Sequence, residues 1–106
     1  AKRCPVSVAW PATATLQDAG FVDPYRQARP DPLKSRGFTW TLPTAESDPP
    51  DRNDRIDFVF VADNAGKVQS AEIVGESPER ADIVVAPYPS DHRAVVATIE
   101  IESLPR

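Results

Sequence analysis

The segment Ser90-Asp91-His92 contains the only histidine of this 106-residue chain and directly precedes an apolar run. Loop residues at the rim of a sheet often carry function. A carboxylate beside an imidazole places a metal ligand next to a group that can exchange protons near neutral pH. An Asp-His pair that caps a surface turn has the same pattern, so the motif alone leaves both interpretations open.

Asp57 is the second residue that could do chemistry, because it lies inside the otherwise apolar run 55–62 (RIDFVFVA). A carboxylate buried in such a run needs a charged or hydrogen-bonding partner. We predict that His92 is this partner. A hydrogen bond to one ring nitrogen would fix the tautomer, raise the basicity of the imidazole and aim the other nitrogen at a substrate. The alternative is a buried salt bridge from Asp57 to Arg55 or Arg93.

The elements that must position these residues follow from periodicity and turn formers. Residues 13–19 predict a short helix that ends at Gly20. Runs rich in β-branched and aromatic residues predict four strands, at 37–42, 55–62, 67–75 and 93–102, with a brief pairing at 83–86. The turn at 63–66 predicts a hairpin between the second and third of these strands.

These elements predict an α+β fold with one mainly antiparallel sheet, limited helical cover and a single domain over residues 1–106. The run 55–62 is apolar on both faces, so it needs a layer on each side. One short helix cannot supply both layers. We therefore expect an apolar face of this run to stay exposed unless a complementary segment or a second copy of the chain covers it.

Composition limits the classes of function. A formal net charge of −4 offers no basic excess for gripping nucleic acid, although Arg26, Arg29, Lys34 and Arg36 form a local cluster that we interpret as a solvated loop. A single cysteine, Cys4, excludes an internal disulfide and a cysteine-rich zinc site. No apolar stretch approaches the ~20 residues of a transmembrane segment. The cellular compartment stays open.

Three blocks occur in a fixed order: GFTWT at 37–41, DRIDFVFVA at 54–62 and PSDHRAVVATI at 89–99. This order resembles the C-terminal half of the endonuclease/exonuclease/phosphatase family. The stretch WPATATLQDAGFVDPYR at 10–26 is similar to that family's helix and following loop, so the resemblance covers nearly the whole chain. It implies half of a four-layer α/β/β/α sandwich.

The resemblance also implies roles for individual residues. His92 would contact the scissile phosphate and act as acid or base, Asp57 would orient it, and Asp91 would bind the metal, Mg²⁺ or Mn²⁺, or position a water.

Three further residues would bind substrate by the same resemblance. Trp40 would lie near the cleft, while Asn53 and Arg55 could reach a phosphate. A core tryptophan and solvated loop residues are the competing interpretations.

The family's early asparagine, its metal-binding glutamate and its Gly-Asp-Phe-Asn block have no counterpart in the chain. We therefore expect the chain to supply the His/Asp half of a metal-dependent phosphoester hydrolase of the phosphodiesterase, nuclease or phosphatase type, inactive alone. Its partner would be the missing N-terminal half or a second copy. Its substrate would be a small phosphodiester, a phospholipid or a nucleic acid. The alternative is a catalytically silent binding or interaction module that retains the fold.

A serine hydrolase built on Ser90 is excluded. No nucleophile elbow precedes Ser90, and the only histidine lies two residues away on the same short segment.

Overall fold

The computed structural model of the chain describes residues 10–40 and 54–101. Within them lie two helices, α1 (Pro11–Asp18) and α2 (Pro24–Ala28), and five strands: β1 (Phe21–Val22), β2 (Val61–Ala62), β3 (Lys67–Gly75), β4 (Ile83–Val84) and β5 (Ala94–Glu100). β1 and β2 form a two-stranded sheet, and a second sheet has the order β4-β3-β5. The α+β class with mainly antiparallel strands and few helices is confirmed.

The helices begin at prolines, whose fixed φ suits the first turn. α1 corresponds to the predicted helix, and Gly20 follows it with a φ of 91°. α2 was not predicted. It is capped by Asp23, and it buries Pro24 and Tyr25. None of the described helices has the length and apolar character that crossing a bilayer requires.

The three-stranded sheet is built on β3, which pairs antiparallel with β5 from Val74↔Ala94 to Lys67↔Glu100 and parallel with β4 at Val74↔Ile83. The predicted strand at 67–75 is confirmed. The predicted strand at 93–102 is confirmed over 94–100, with residue 102 outside the described ranges, and the brief pairing predicted at 83–86 occurs at 83–84. Exposure alternates along the whole of β5, as expected for a strand with one covered face.

The core of the described residues is small and lies on one face of this sheet. Its buried hydrophobic side chains are those of Tyr25, Ala71 and Ile73. The guanidinium groups of Arg26, Arg29 and Arg55 lie 5.1–5.5 Å from the centroid of the Tyr25 ring.

Two arginines that we interpreted as part of a solvated loop have structural roles. Arg29 donates to the carbonyl of Ala71 and to Asp82, while Arg26 donates to the carbonyls of Arg29 and Ser35. These bonds tie α2 and the loop after it to β3.

The prediction of a continuous strand at 55–62, paired with 67–75 in a hairpin, is wrong. Only Val61–Ala62 lies in a ladder, and its partner is β1. β5 pairs along one edge of β3 from Lys67 to Val74. At the other edge β4 pairs at Val74 and Gly75. The side chains of Arg29 and Asp82 bond to the backbone of Ala71 and Ile73, so these groups of β3 are not available to the run 55–62. Of the predicted strand at 37–42, Trp40 forms a single antiparallel bridge with Asp54, and residues 41 and 42 lie outside the described ranges.

The Gly37→Ala substitution should destabilise the fold more than Gly20→Ala. Both glycines have positive φ, which costs another residue about 1–2 kcal/mol. A Cβ at Gly37 would also lie 2.5 Å from Cε2 of Tyr25, whereas a Cβ at Gly20 would meet no atom within 4 Å. The clash should add about 1–3 kcal/mol. Chemical denaturation of both variants measures the difference, and equal losses of stability would contradict the packing of Gly37 on Tyr25.

Candidate active site

The predicted hydrogen bond between Asp57 and His92 is present. Nδ1 of His92 lies 2.7 Å from Oδ2 of Asp57. An ionised carboxylate only accepts hydrogen bonds, so Nδ1 carries the proton that is shared. The other ring nitrogen, Nε2, has no hydrogen-bond partner among the described residues and is left for a ligand.

The alternative partners of Asp57 are engaged elsewhere. Arg55 makes two hydrogen bonds of 2.6 Å to the carboxylate of Asp23. Arg93 makes two of 2.7 Å to Glu76. A buried salt bridge from Asp57 to either arginine is therefore wrong for this structure.

The expectation that Asp57 is a buried acid is also wrong. Its side chain is 41% exposed and that of His92 is 39% exposed. The reason is that residues 55–60 do not run as a central strand, so Asp57 lies at the surface of the described structure. The pair is thus accessible to solvent and to a ligand.

The pKa of His92 is raised above its ordinary value of 6.5. The hydrogen bond to Asp57 is the largest cause; slight desolvation acts in the opposite direction, and the negative charges of Asp57 and Asp91 raise the pKa further. The imidazolium form therefore persists to higher pH than in a free histidine. In that form His92 presents a proton on Nε2 to an acceptor such as a phosphate oxygen.

Thr39 is a site residue that sequence reasoning missed, and it is completely buried. Its Oγ1 accepts hydrogen bonds from the backbone N–H groups of Ile56 and Asp57, both at 3.1 Å. Its carbonyl accepts a bond of 2.7 Å from the N–H of Arg93. Thr39 therefore connects the two segments that carry the dyad. The GFTWT block contained it, but a threonine there is typical of any strand.

The loop that carries His92 is held from both sides. The Oγ of Ser90 accepts from the N–H of His92 at 3.1 Å, an arrangement common in turns. The next side chain, Arg93, points inward, where it is 2% exposed and also donates to the carbonyl of Phe38. Buried Arg93 thus anchors the loop while His92 faces outward.

The anchor of Arg93 is its ion pair with Glu76. Partial burial alone would raise the pKa of the Glu76 carboxyl, but hydrogen bonds from Arg93 and from the backbone, together with the charges of Arg93 and Arg80, hold it below its usual range. Glu76 is therefore ionised at neutral pH. The Glu76 carboxylate therefore stays charged wherever His92 titrates.

Of the other predicted site residues, Trp40 and Asp91 lie near His92, whereas Arg55 and Asn53 are not placed there by the structure. Trp40 lies beside the dyad, with its ring centroid 6.4 Å from that of His92 and the two planes tilted by 43°. Asp91 is exposed, and its charge acts on the His92 imidazole. The guanidinium of Arg55 faces Asp23 rather than the dyad, and its contact with phosphate stays a prediction. Asn53 lies outside the described residues.

No group of three or more His, Cys, Asp or Glu side chains that could hold a metal occurs in residues 10–40 and 54–101. Of the two acids in the predicted site, Asp57 is engaged by His92, and Asp91 is one carboxylate. Mg²⁺ and similar hard cations need several oxygen ligands. These residues alone therefore do not make a Mg²⁺ or Mn²⁺ site.

Comparison with known proteins gives one relative. The chain is 34% identical over 97 residues to an uncharacterized protein of Caenorhabditis elegans. The match covers 85% of the chain but 31% of the relative, so the chain spans less than a third of that protein's length. No family model matches the chain, and no solved structure matches it.

Replacing Asp57 with Asn should lower the pKa of His92 toward 6.5, because the neutral amide removes both the charge and the strong acceptor. The control variant Asp63→Asn, at an exposed acid in the turn after β2, should leave the pKa of His92 unchanged. The ring ¹⁵N and ¹H shifts of His92, followed by NMR through the titration, measure both values. A His92 pKa that is equal in wild type and Asp57→Asn would contradict the dyad.

Proposed function

We propose that this chain provides the histidine–aspartate half of the active site of a metal-dependent phosphoester hydrolase of the endonuclease/exonuclease/phosphatase type. The observation that supports this most is the 2.7 Å bond from Nδ1 of His92 to Asp57, which leaves Nε2 without a partner among the described residues. This bond joins two of the three sequence blocks that resemble the family. In this proposal the described sheets are part of a four-layer α/β/β/α sandwich.

The chemistry assigned to the dyad is proton transfer and charge stabilisation. Protonated Nε2 donates to a phosphoryl oxygen and balances the negative charge that grows there during displacement. In its neutral form, the same nitrogen accepts a proton from an attacking water. Asp57 supports both roles because it fixes the tautomer and stabilises the imidazolium.

The metal, Mg²⁺ or Mn²⁺, needs ligands in addition to Asp91. We propose that Asp91 is one oxygen ligand or holds a water, and that the principal carboxylate comes from outside the described residues. When bound, such an ion supplies positive charge at the phosphoryl oxygens.

The proposed substrate is a phosphoester that reaches a shallow, exposed site. Trp40 offers an apolar ring beside His92 for the part of the substrate next to the phosphate. The net charge of −4 favours a small phosphodiester or a phospholipid headgroup over nucleic acid. The Arg55 side chain is 14% exposed and already paired with Asp23. Arg55 could therefore bind phosphate only by giving up its ion pair with Asp23.

The proposed partner is the N-terminal half of the domain, and it covers the outer face of the three-stranded sheet. The ladder registers place Ile83 and Val96 on the face opposite Ala71 and Ile73. Ile83 is 44% and Val96 40% exposed. We had expected the open apolar surface on the run 55–62, where Ile56 is 47% exposed, and this sheet face is a second place with exposed apolar side chains. A relative about three times as long is consistent with such cover.

A silent interaction module is the second candidate. It is favoured by one observation: the described residues contain no group of three or more His, Cys, Asp or Glu side chains that could hold a metal. Activity measurements separate the two candidates.

The His92→Ala variant should lose about 10²–10⁴-fold in kcat, the usual contribution of general acid–base catalysis. Hydrolysis of bis-(p-nitrophenyl) phosphate with Mg²⁺ or Mn²⁺ is measured for the chain together with the N-terminal half that the proposal requires. Lys67→Ala, exposed at the far end of β3, is the matched control and should keep wild-type activity. Residues 1–106 alone should be inactive. Turnover that does not change in His92→Ala would contradict the proposal.

Residues 1–106 alone should self-associate, because exposed β-branched residues on a sheet face are covered by contact. Sedimentation velocity should show less association for the double variant Ile83→Thr, Val96→Thr, since threonine keeps strand propensity. Leu33→Thr, at an exposed apolar loop position, is the control and should behave as wild type. A wild-type chain that stays monomeric at every concentration would contradict the covered face.

A further inference from the structure

The backbone around the dyad is not held by regular strand pairing. Asp57 lies in residues 55–60, which belong to no ladder, and His92 lies two residues before the start of β5. Sheet hydrogen bonds therefore do not set the distance between the two side chains. A contact outside the ladders must do so.

Thr39 makes that contact with both segments. The N–H of Asp57 donates to its hydroxyl oxygen at 3.1 Å, and the N–H of Arg93, next to His92, donates to its carbonyl at 2.7 Å. The N–H of Thr39 in turn donates to the carbonyl of Asp54 at 3.0 Å. One residue thus fixes the backbone on either side of the hydrogen bond between Asp57 and His92.

The burial of Thr39 makes these bonds hard to replace. The residue is 0% exposed, so water cannot take the place of its hydroxyl without rearrangement. Both acceptor positions of the hydroxyl oxygen are used, by Ile56 and Asp57. A β-branched side chain also restricts χ1, which holds the oxygen in one place.

We infer that Thr39 is a positioning residue of the active site, whose hydroxyl holds the Asp57 segment at the distance from which its carboxylate orients His92. This role rests on the proposed function for its catalytic meaning, but the geometry it controls can be measured without any activity.

The substitution Thr39→Val keeps the shape of the side chain and removes the acceptor, whereas Thr39→Ser keeps the acceptor. We expect the NMR pKa of His92 to fall in Thr39→Val toward the value of Asp57→Asn, and to stay close to wild type in Thr39→Ser. Thr98→Val, at an exposed position on β5, is the control for a threonine-to-valine change and should have no effect. Nuclear Overhauser effects between backbone protons of β3 and β5 verify that each variant is folded.

A folded Thr39→Val variant with the wild-type His92 pKa would overturn the inference. If Thr39→Val does not fold, hydrogen exchange of the wild-type chain decides. The amides of Ile56 and Asp57 should then be protected although they lie in no ladder, and rapid exchange of both would overturn the inference equally.

The outcome is separable from that of the proposed function. A shifted His92 pKa in Thr39→Val with no hydrolysis by any form of the protein would contradict the hydrolase proposal but support the geometric role of Thr39. Hydrolysis that depends on His92 but is unaffected by Thr39→Val would sink the positioning role alone.

Discussion

Thr39 is a buried junction on which the arrangement of the candidate site depends. Its hydroxyl oxygen accepts hydrogen bonds from the backbone N–H groups of Ile56 and Asp57. Its carbonyl accepts a hydrogen bond from the backbone N–H of Arg93. Arg93 then inserts its guanidinium between Glu76 and the carbonyl of Phe38. These polar contacts hold the site in a part of the fold with few regular strand bonds. The exposed side chains of Asp57 and His92 are thus supported by the buried residues Thr39 and Arg93.

Local patterns in the sequence predicted α1, β3 and β5. Alternation along β3 and β5, and glycine after α1, marked those elements correctly. The prediction of a strand at 55–62 failed because apolarity on both faces is typical of a central strand. In the structure, the edge of β3 opposite β5 bonds to β4 over two residues and to the side chains of Arg29 and Asp82 before them. Edge occupancy is a property of the assembled sheet, so a single run of residues cannot encode it.

The site was predicted in part, and one premise was wrong. An acid in an apolar run and a single histidine indicated the dyad of Asp57 and His92, although the acid is exposed rather than buried. Thr39 could not be predicted because side-chain bonds to distant backbone N–H groups leave no spacing signature. The proposal that other residues complete the site rests on the open sheet face and on the absence of a group of three or more possible metal ligands in residues 10–40 and 54–101.

The pH dependence of kcat/KM for phosphodiester hydrolysis tests the central claim most directly, because it reports the ionisation of the free enzyme's acid or base. It is measured on wild type and Asp57→Asn, each together with the N-terminal half that the proposal requires. We expect a limb of the profile that is set by the raised pKa of His92 and that moves to lower pH in Asp57→Asn. An identical pH profile for the two proteins would contradict a catalytic role for the pair of Asp57 and His92.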